Sequence, residues 1–178
     1  MTLREIFLGV GGGAAVFKAV ALASQLRQRD LEVRVLMTEA ACAFVKPLSF
    51  AAVTGSQVTT DTRAVDPDGI ATHLKPAMAA AFIVVPATAD LIARLALGLA
   101  GDAVSLGALS APELRFFCPS MNDRMWNNPL VQANVQRLEG AGWQRIGPDF
   151  GQLAEGYEGD GRMSEPERIL EVVVAALG

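Results

Sequence analysis

An apolar run that ends in three glycines and leads straight into a helical pattern constrains the fold more than any other feature. The run "IFLGV" has the composition of a buried strand, and apolar side chains recur every three or four positions after Gly13. A second apolar strand, "LEVRVLM", follows. Strand, glycine turn, helix and strand in this order predict a right-handed βαβ unit of a parallel sheet.

Further strands and helices extend this pattern along the whole chain. The segment "AAFIVVPAT" is apolar throughout, as a central strand buried on both faces is, and a helix follows it. Another strand, "ELRFFCP", precedes a helix that begins at Pro129. Residues 1–178 are therefore predicted to form one α/β domain. Its sheet is parallel and doubly wound, flavodoxin-like or Rossmann-like, with helices on both faces.

Local signals give several finer predictions. Thr38 is expected to cap a short helix, and the polar segments Gly55–Gly69 and Asp149–Gly161 are interpreted as loops. Ser164 is expected to cap the last helix, with Glu167 completing a capping box.

Composition and charge narrow the range of partners. The net charge is −4 and no basic stripe is visible, which argues against nucleic acid. Pro86, Asp90 and Arg94 interrupt the most apolar stretch before the ~20 residues that a membrane span needs. The chain begins with charged residues rather than a signal region, so a cytoplasmic protein is expected.

Cys42 and Cys118 are predicted to be buried free thiols, and no metal site is predicted.

In a doubly wound sheet, ligands bind beyond the carboxyl ends of the strands. Gly11–Gly13 lie at such an end, before a helix N-terminus, where they either bind phosphate or simply allow a tight turn. The glycines are not followed by Lys and Ser or Thr, and no acidic residue closes the second strand. A mononucleotide therefore fits better than a nucleoside triphosphate or a dinucleotide.

Polar residues at other strand ends are candidates for chemistry. His73, the only histidine, suits proton transfer near neutral pH or is a surface side chain, and Thr72 is expected to cap its helix. Asn122 can donate to a carboxylate or hold a turn. The neighbouring Met121, Met125 and Trp126 pack in a core, in an interface or against a ligand.

Four stretches together resemble the flavin-dependent cysteine decarboxylases, a flavoprotein family. It includes phosphopantothenoylcysteine decarboxylases and the peptide decarboxylases of lantibiotic biosynthesis. The resemblance covers nearly the whole chain. The stretches are the opening βαβ unit, "HLKPAMAAAFIVVPATADL", "PSMNDRMW" and "GQLAEGYEGDGRM". The third matches the family signature P-x-M-N-x-x-M-W in full and is the most specific, and the fourth is similar to the loop that covers the substrate.

The resemblance implies FMN as cofactor and a small-molecule or peptide cysteine derivative as substrate. Thiol oxidation to a thioaldehyde would precede loss of CO2. It implies His73 as base or proton relay and Asn122 as ligand of the leaving carboxylate, in a trimer or larger homo-oligomer, possibly a dodecamer, whose sites lie between chains. The implied FMN contacts are Gly11, Gly12, Gly13, Thr38, Pro86, Thr88, Asp90 and Ser105. The implied substrate contacts are Met121, Asn122, Met125, Trp126, Arg162 and Met163.

Two residues depart from the family pattern. Asp90 replaces an amide, is expected to cap the following helix, and would weaken FMN binding if it faced the flavin or its phosphate. Glu155 replaces the cysteine that donates the last proton in phosphopantothenoylcysteine decarboxylases. Glu155 is then the proton donor, or the enethiol is released as in the peptide enzymes, or Glu155 is a solvated loop residue. A non-catalytic, regulatory FMN-binding protein is the other alternative, and the signature disfavours a prenyl-transferring flavoprotein.

Overall fold

A computed structural model describes residues 4–178. The described chain begins with a strand and ends with a helix, and one or more helices separate consecutive strands among the first six. The strands are β1 (Glu5–Val10), β2 (Glu32–Met37), β3 (Val58–Thr59), β4 (Ala81–Ala87), β5 (Arg115–Pro119), β6 (Gln144–Arg145), β7 (Asp149–Gln152) and β8 (Glu158–Arg162). The α-helices are α1 (Val16–Arg27), α2 (Glu39–Phe44), α3 (Pro47–Thr54), α4 (Ala89–Leu97), α5 (Ala103–Ala108), α6 (Asp123–Trp126), α7 (Pro129–Gly140) and α8 (Pro166–Leu177). A 3₁₀ helix spans Thr72–Met78.

Six strands form one parallel sheet in the order β3-β2-β1-β4-β5-β6. This is the Rossmann order, in which the direction of winding reverses between β1 and β4. All seven residues of β4 are buried, as its unbroken apolar sequence predicts. The predicted doubly wound α/β sheet is confirmed.

The alternation of side chains along β1 builds a core on each face of the sheet. Ile6 and Leu8 belong to a cluster that also takes in side chains from α1, α3 and α8. Phe7, between them, belongs to the cluster on the other face, with side chains from α4, α5 and α7. Helices therefore cover both faces and leave the carboxyl ends of the strands open for a ligand.

Two segments interpreted as loops contain strands. The interpretation of Asp149–Gly161 is wrong, because β7 and β8 pair as an antiparallel hairpin. The segment Gly55–Gly69 holds β3, the short edge strand that pairs with β2. The helices α3, α5 and α6 were not predicted either.

The caps follow the sequence only in part. Thr38 accepts a hydrogen bond from the Ala41 amide at 3.1 Å, and this predicted cap is confirmed. The Ser164 cap is wrong, since Glu165 is the N-cap of α8 and the buried Ser164 hydroxyl finds no partner among residues 4–178. Pro166 takes the first helical position, which makes Glu165 the N-cap and leaves Ser164 one residue too far from the helix to cap it.

Two other predicted caps are also wrong. Thr72 lies inside the 3₁₀ helix, and its hydroxyl donates to Asp66 at 3.0 Å instead of capping the helix. Thr88, not Asp90, caps α4, because the helix begins at Ala89, two residues before the start that an Asp90 cap would give.

Neither thiol is cross-linked, and their burial differs. Cys118 is fully buried, as predicted, whereas Cys42 is only half-buried. Between residues 4 and 178, no helix is both long and apolar enough to cross a bilayer. In the same range, no three His, Cys, Asp or Glu side chains are grouped in a way that suits a metal ion.

Candidate active site

Two adjoining cavities, of about 560 and 320 Å³, lie at the carboxyl edge of the sheet. Residues that follow β1, β4 and β5 line the larger one, called the cleft below. Gly12, Thr88 and Asp90 line both cavities, so the two are parts of one continuous site. Volumes of this size are typical of cofactor and substrate sites.

Two of the three glycines after β1 pack too closely against their neighbours to carry side chains. The Gly11 amide donates to the Pro86 carbonyl at 3.2 Å, and a β-carbon on Gly11 would lie 2.4 Å from that oxygen. A β-carbon on Gly12 would lie 2.5 Å from the Ala40 β-carbon. On Gly13 it would make only ordinary contact, at 3.4 Å from Thr88 Cγ2. Gly11 and Gly12 therefore let the backbone itself form the floor of the site.

Helix termini and one arginine set the electrostatics of the smaller cavity. Thr88 caps α4 at this edge by accepting from the Leu91 amide at 3.3 Å, and the start of a helix favours anions. The Arg94 guanidinium lies 2.8 Å from Asp90 and 3.8 Å from Asp102. The hydrogen bond with Asp90 raises the pKa of Arg94, so the guanidinium keeps its positive charge at this cavity.

The asparagine of the signature is held by two hydrogen bonds. Its Oδ1 accepts from the Arg124 amide at 2.9 Å and so caps α6, as a turn residue does. Its Nδ2 donates to the Tyr157 hydroxyl at 2.8 Å. Because an amide nitrogen carries two hydrogens, one donor of Asn122 remains for a ligand in the cleft.

The β7–β8 hairpin forms one wall of the cleft. The Met121 amide donates to the Gly161 carbonyl at 3.0 Å, which ties β8 to the end of β5. Gly161 has a φ of 137°, and a β-carbon there would lie 2.2 Å from the Met121 carbonyl oxygen. Only glycine permits this close approach. The turn of the hairpin brings the exposed Glu155 to the cleft.

A cationic cluster stands at the base of the hairpin. Lys18 and Arg162 both line the cleft and both bind the Glu165 carboxylate, Lys18 at 2.9 Å. The hydrogen bond from Lys18 lowers the pKa of Glu165. Glu165 thus neutralises part of the positive charge at this end of the cleft.

The structure brings most of the predicted site residues together. Those that line the cleft or the smaller cavity are Gly11, Gly12, Gly13, Thr38, Thr88, Asp90, Met121, Asn122, Met125, Glu155, Arg162 and Met163. Pro86 supports the glycine turn from behind through its carbonyl.

Besides Pro86, three predicted residues lie outside both cavities. Ser105 is fully buried, and its hydroxyl donates to Asp102 at 2.8 Å within the capping box of α5. The Trp126 ring lies 5.6 Å from the Arg145 guanidinium. The imidazole Nδ1 of His73 is buried and has no partner among residues 4–178.

Two residues of the site did not emerge from the sequence. Lys18 lies on α1 with the spacing of an ordinary helix surface residue, which gave no signal. Tyr157 is the only tyrosine in the chain and follows Glu155 by two positions. That uniqueness was the one visible signal, and its partner lies 35 positions away.

Comparisons with known proteins place the chain in a family. The profile of the Flavoprotein family matches residues 1–178. The chain is 42% identical, over 170 residues, to the coenzyme A biosynthesis bifunctional protein CoaBC of Bacillus subtilis, covering 95% of this chain and 42% of that protein. It is 40% identical to CoaBC of Escherichia coli over 173 residues, covering 97% and 43%. The chain thus spans about two fifths of the length of these relatives.

Solved structures share the whole fold. A PPC decarboxylase mutant in complex with pantothenoylaminoethenethiol superposes with a TM-score of 0.86 at 24% identity, covering 98% of each chain. The FMN-dependent cysteine decarboxylase SpaF superposes with a TM-score of 0.79 at 29% identity, covering 99% of this chain and 98% of that one. The match of the family profile over the full length, together with this fold, shows that the chain belongs to the Flavoprotein family.

Proposed function

We propose that the chain is an FMN-dependent carboxy-lyase that decarboxylates a cysteine derivative of the phosphopantothenoylcysteine type. The observation that carries this proposal is the cleft, which unites the glycine floor, the free Asn122 donor and the Glu155 hairpin. The 40–42% identity to proteins of coenzyme A biosynthesis favours a small-molecule substrate in that pathway over a peptide substrate. It also favours a cytoplasmic location.

The residues of the two cavities fit FMN. Backbone amides of the glycine turn and the start of α4 suit its phosphate. Asp90 is ion-paired with Arg94, which offsets the negative charge that the sequence departure introduced. Bound FMN supplies the two-electron oxidation of the substrate thiol, a reaction that protein side chains do not provide. The residues that would hold it are Gly11, Gly12, Gly13, Thr38 and Thr88.

The other end of the cleft suits the carboxylate that leaves. The free N–H of Asn122 is a donor for that carboxylate, while Met121, Met125 and Met163 surround it with apolar side chains. A carboxylate loses hydration in such surroundings, whereas CO2 is neutral and does not depend on it. These apolar side chains therefore favour decarboxylation, the step in which the charged carboxylate becomes neutral CO2.

We infer that His73 serves the cleft of a neighbouring chain in a homotrimer or larger assembly. It lies outside the cavities of its own chain, and it is followed by the exposed apolar side chains of Leu74 and Met78. Such a patch is typical of a surface that another chain covers. Two impaired variants, His73→Asn and Asn122→Asp, should together show more activity when they are expressed in one cell than the two show when they are expressed separately. No recovery in demonstrably mixed oligomers would contradict the shared site.

The decarboxylase proposal is tested with FMN-loaded protein and phosphopantothenoylcysteine, using CO2 release as the readout. Asn122→Asp should lower kcat/KM at least tenfold, because a carboxylate cannot donate to the substrate carboxylate. Asn128→Asp is the matched control, since Asn128 caps α7 in the same way and lies outside the cleft. Failure of the wild-type protein to bind FMN or to release CO2 from any cysteine derivative would overturn the proposal.

The role of Glu155 is decided by the mass of the product. Loss of CO2 alone means that the enethiol is reduced again, and a product two hydrogens lighter means that it is released. We propose that Glu155 donates the proton of the reduction, because it is the acidic side chain that the hairpin brings to the cleft. Glu155→Gln should then change the product from the heavier to the lighter form. A lighter product from the wild-type protein would support the enethiol-releasing alternative.

A further inference from the structure

The tip of the hairpin is joined to the signature asparagine by one phenol group. The Tyr157 hydroxyl accepts from Asn122 Nδ2 at 2.8 Å and donates to Asp123 Oδ1 at 2.6 Å. These directions are fixed by chemistry. The Arg124 amide can only donate, so the atom of Asn122 that faces it is the oxygen and the atom that faces Tyr157 is the nitrogen.

The backbone of the hairpin fits against the same segment. A β-carbon on Gly159 would lie 3.1 Å from the Asp123 β-carbon, and one on Gly161 would meet the Met121 carbonyl oxygen. Residues 121–123 are therefore in contact with the hairpin at three successive positions. Tyr157 supplies the side-chain contact, and the glycines supply the room for it.

We propose that Tyr157 is a positioning residue that orients the Asn122 amide toward the cleft and latches the β7–β8 hairpin over it. A hydroxyl that donates to a carboxylate is a better acceptor, so Asp123 strengthens the bond from Asn122 to Tyr157. With one hydrogen of Nδ2 held in this way, the other has a fixed direction and needs no reorganisation to meet the substrate carboxylate. Glu155 lies two residues before Tyr157, so the latch also sets where the Glu155 carboxylate stands.

The contacts of the Tyr157 hydroxyl with Asn122 and Asp123, called the bridge below, can be detected by spectroscopy because they change the pKa of Tyr157. The hydrogen bond to Asp123 raises the pKa of Tyr157, the bond from Asn122 opposes this in part, and the Asp123 and Glu155 charges add to the increase. Tyr157 is the only tyrosine, so the ultraviolet absorbance of tyrosinate reports on this group alone.

The first test is a pH titration of tyrosinate absorbance in the FMN-loaded protein. Tyr157 should ionise at a higher pH than it does in the urea-unfolded chain, and Asp123→Asn should remove much of that difference. Asp160→Asn is the matched control, because it removes an exposed carboxylate from the same hairpin. The bridge would be refuted if Tyr157 ionised at the same pH in the folded and unfolded chains, or if Asp123→Asn and Asp160→Asn changed its ionisation equally.

The second test measures steady-state kinetics and rests on the proposed decarboxylase function. Tyr157→Phe keeps the ring and removes the hydroxyl, and it should lower kcat/KM for phosphopantothenoylcysteine about tenfold, mainly through KM, with FMN content unchanged. Asp160→Asn should leave both constants unchanged. Unaltered kcat/KM in Tyr157→Phe would refute the positioning role. If the wild-type protein turned over no cysteine derivative, the proposed function would fail, whereas the titration would still decide whether the latch exists.

Discussion

The adjacent glycines of the β1–α1 turn should respond in opposite ways to the same substitution. An alanine at Gly12 would place its β-carbon 2.5 Å from the Ala40 β-carbon and 2.8 Å from the Ala41 amide nitrogen. Ordinary carbon–carbon contacts lie near ~3.5–4.0 Å, so α2 must move by about 1 Å. An alanine at Gly13 would touch only Thr88 Cγ2, at 3.4 Å.

The expected magnitudes follow from overpacking and chain entropy. Gly12→Ala should cost about 1–3 kcal/mol of unfolding free energy, because the atoms that it meets belong to backbone and a short side chain. Gly13→Ala should be neutral or should stabilise by up to ~1 kcal/mol, because alanine restricts the unfolded chain. At about 2–4 °C per kcal/mol for a chain of this size, a 2 kcal/mol loss in Gly12→Ala lowers Tm by roughly 4–8 °C.

The measurement is urea unfolding of both variants, with and without excess FMN, since a ligand that binds only the folded state adds its own stabilisation. Gly12→Ala should also retain less FMN after gel filtration than the wild-type protein does. If the two variants unfolded at the same urea concentration, the steric account of the glycine floor would be refuted.

Two further predictions concern the thiols and the ion pair at the base of the hairpin. A thiol reagent should label Cys42 in the native protein and Cys118 only after unfolding. Complete burial raises the pKa of the Cys118 thiol and blocks access of the reagent. Rapid labelling of the native Cys42→Ser variant would contradict this. Glu165→Gln should destabilise the protein at neutral pH by ~0.2–1 kcal/mol, a small value because the carboxylate is half-exposed. Lys18 lowers the pKa of Glu165, so its contribution is present above the unfolded pKa and is lost as the pH falls through the folded one. Wild type and variant should then converge in acid, and a constant difference in urea midpoints would count against the pair.

The centre of the sheet was predictable because β1, β4 and β5 are almost entirely buried and carry largely apolar sequences, whereas the two-residue edge strands β3 and β6 carry no such signal. The hairpin was not, and the reason is visible in β8, "EGDGR". Its buried positions are Gly159 and Gly161, so the strand alternates as strands do, but with glycine in place of apolar side chains. When glycine and acidic residues alternate along a strand, its composition is that of a loop, so the sequence does not predict the strand.

The site was predictable where a residue acts through its own strand end and not where it acts through a distant partner. Asn122 follows β5 directly, so its position at the carboxyl edge follows from topology. Tyr157 reaches it across 35 positions of sequence, a contact that no local pattern encodes. The cap of α4 could not be predicted for a different reason. Thr88 and Asp90 are both good capping residues, and which of them caps the helix depends on the residue at which the helix begins.

The positions of His73 and the cleft also constrain how the proposed shared site is assembled. The cleft is rimmed by exposed apolar side chains, Phe17 at 63% and Met125 at 48% exposure. His73 is followed by a different patch, in which Leu74 is 51% and Met78 82% exposed. A contact between two unlike patches either occurs twice across one two-fold interface or repeats from chain to chain around a ring. The proposed pairing of His73 with a neighbour's Asn122 therefore requires that both patches lie in contacts between chains. Replacing Met78 with a charged residue should break the proposed assembly into monomers that keep their fold and lose activity, as gel filtration and CO2 release would show.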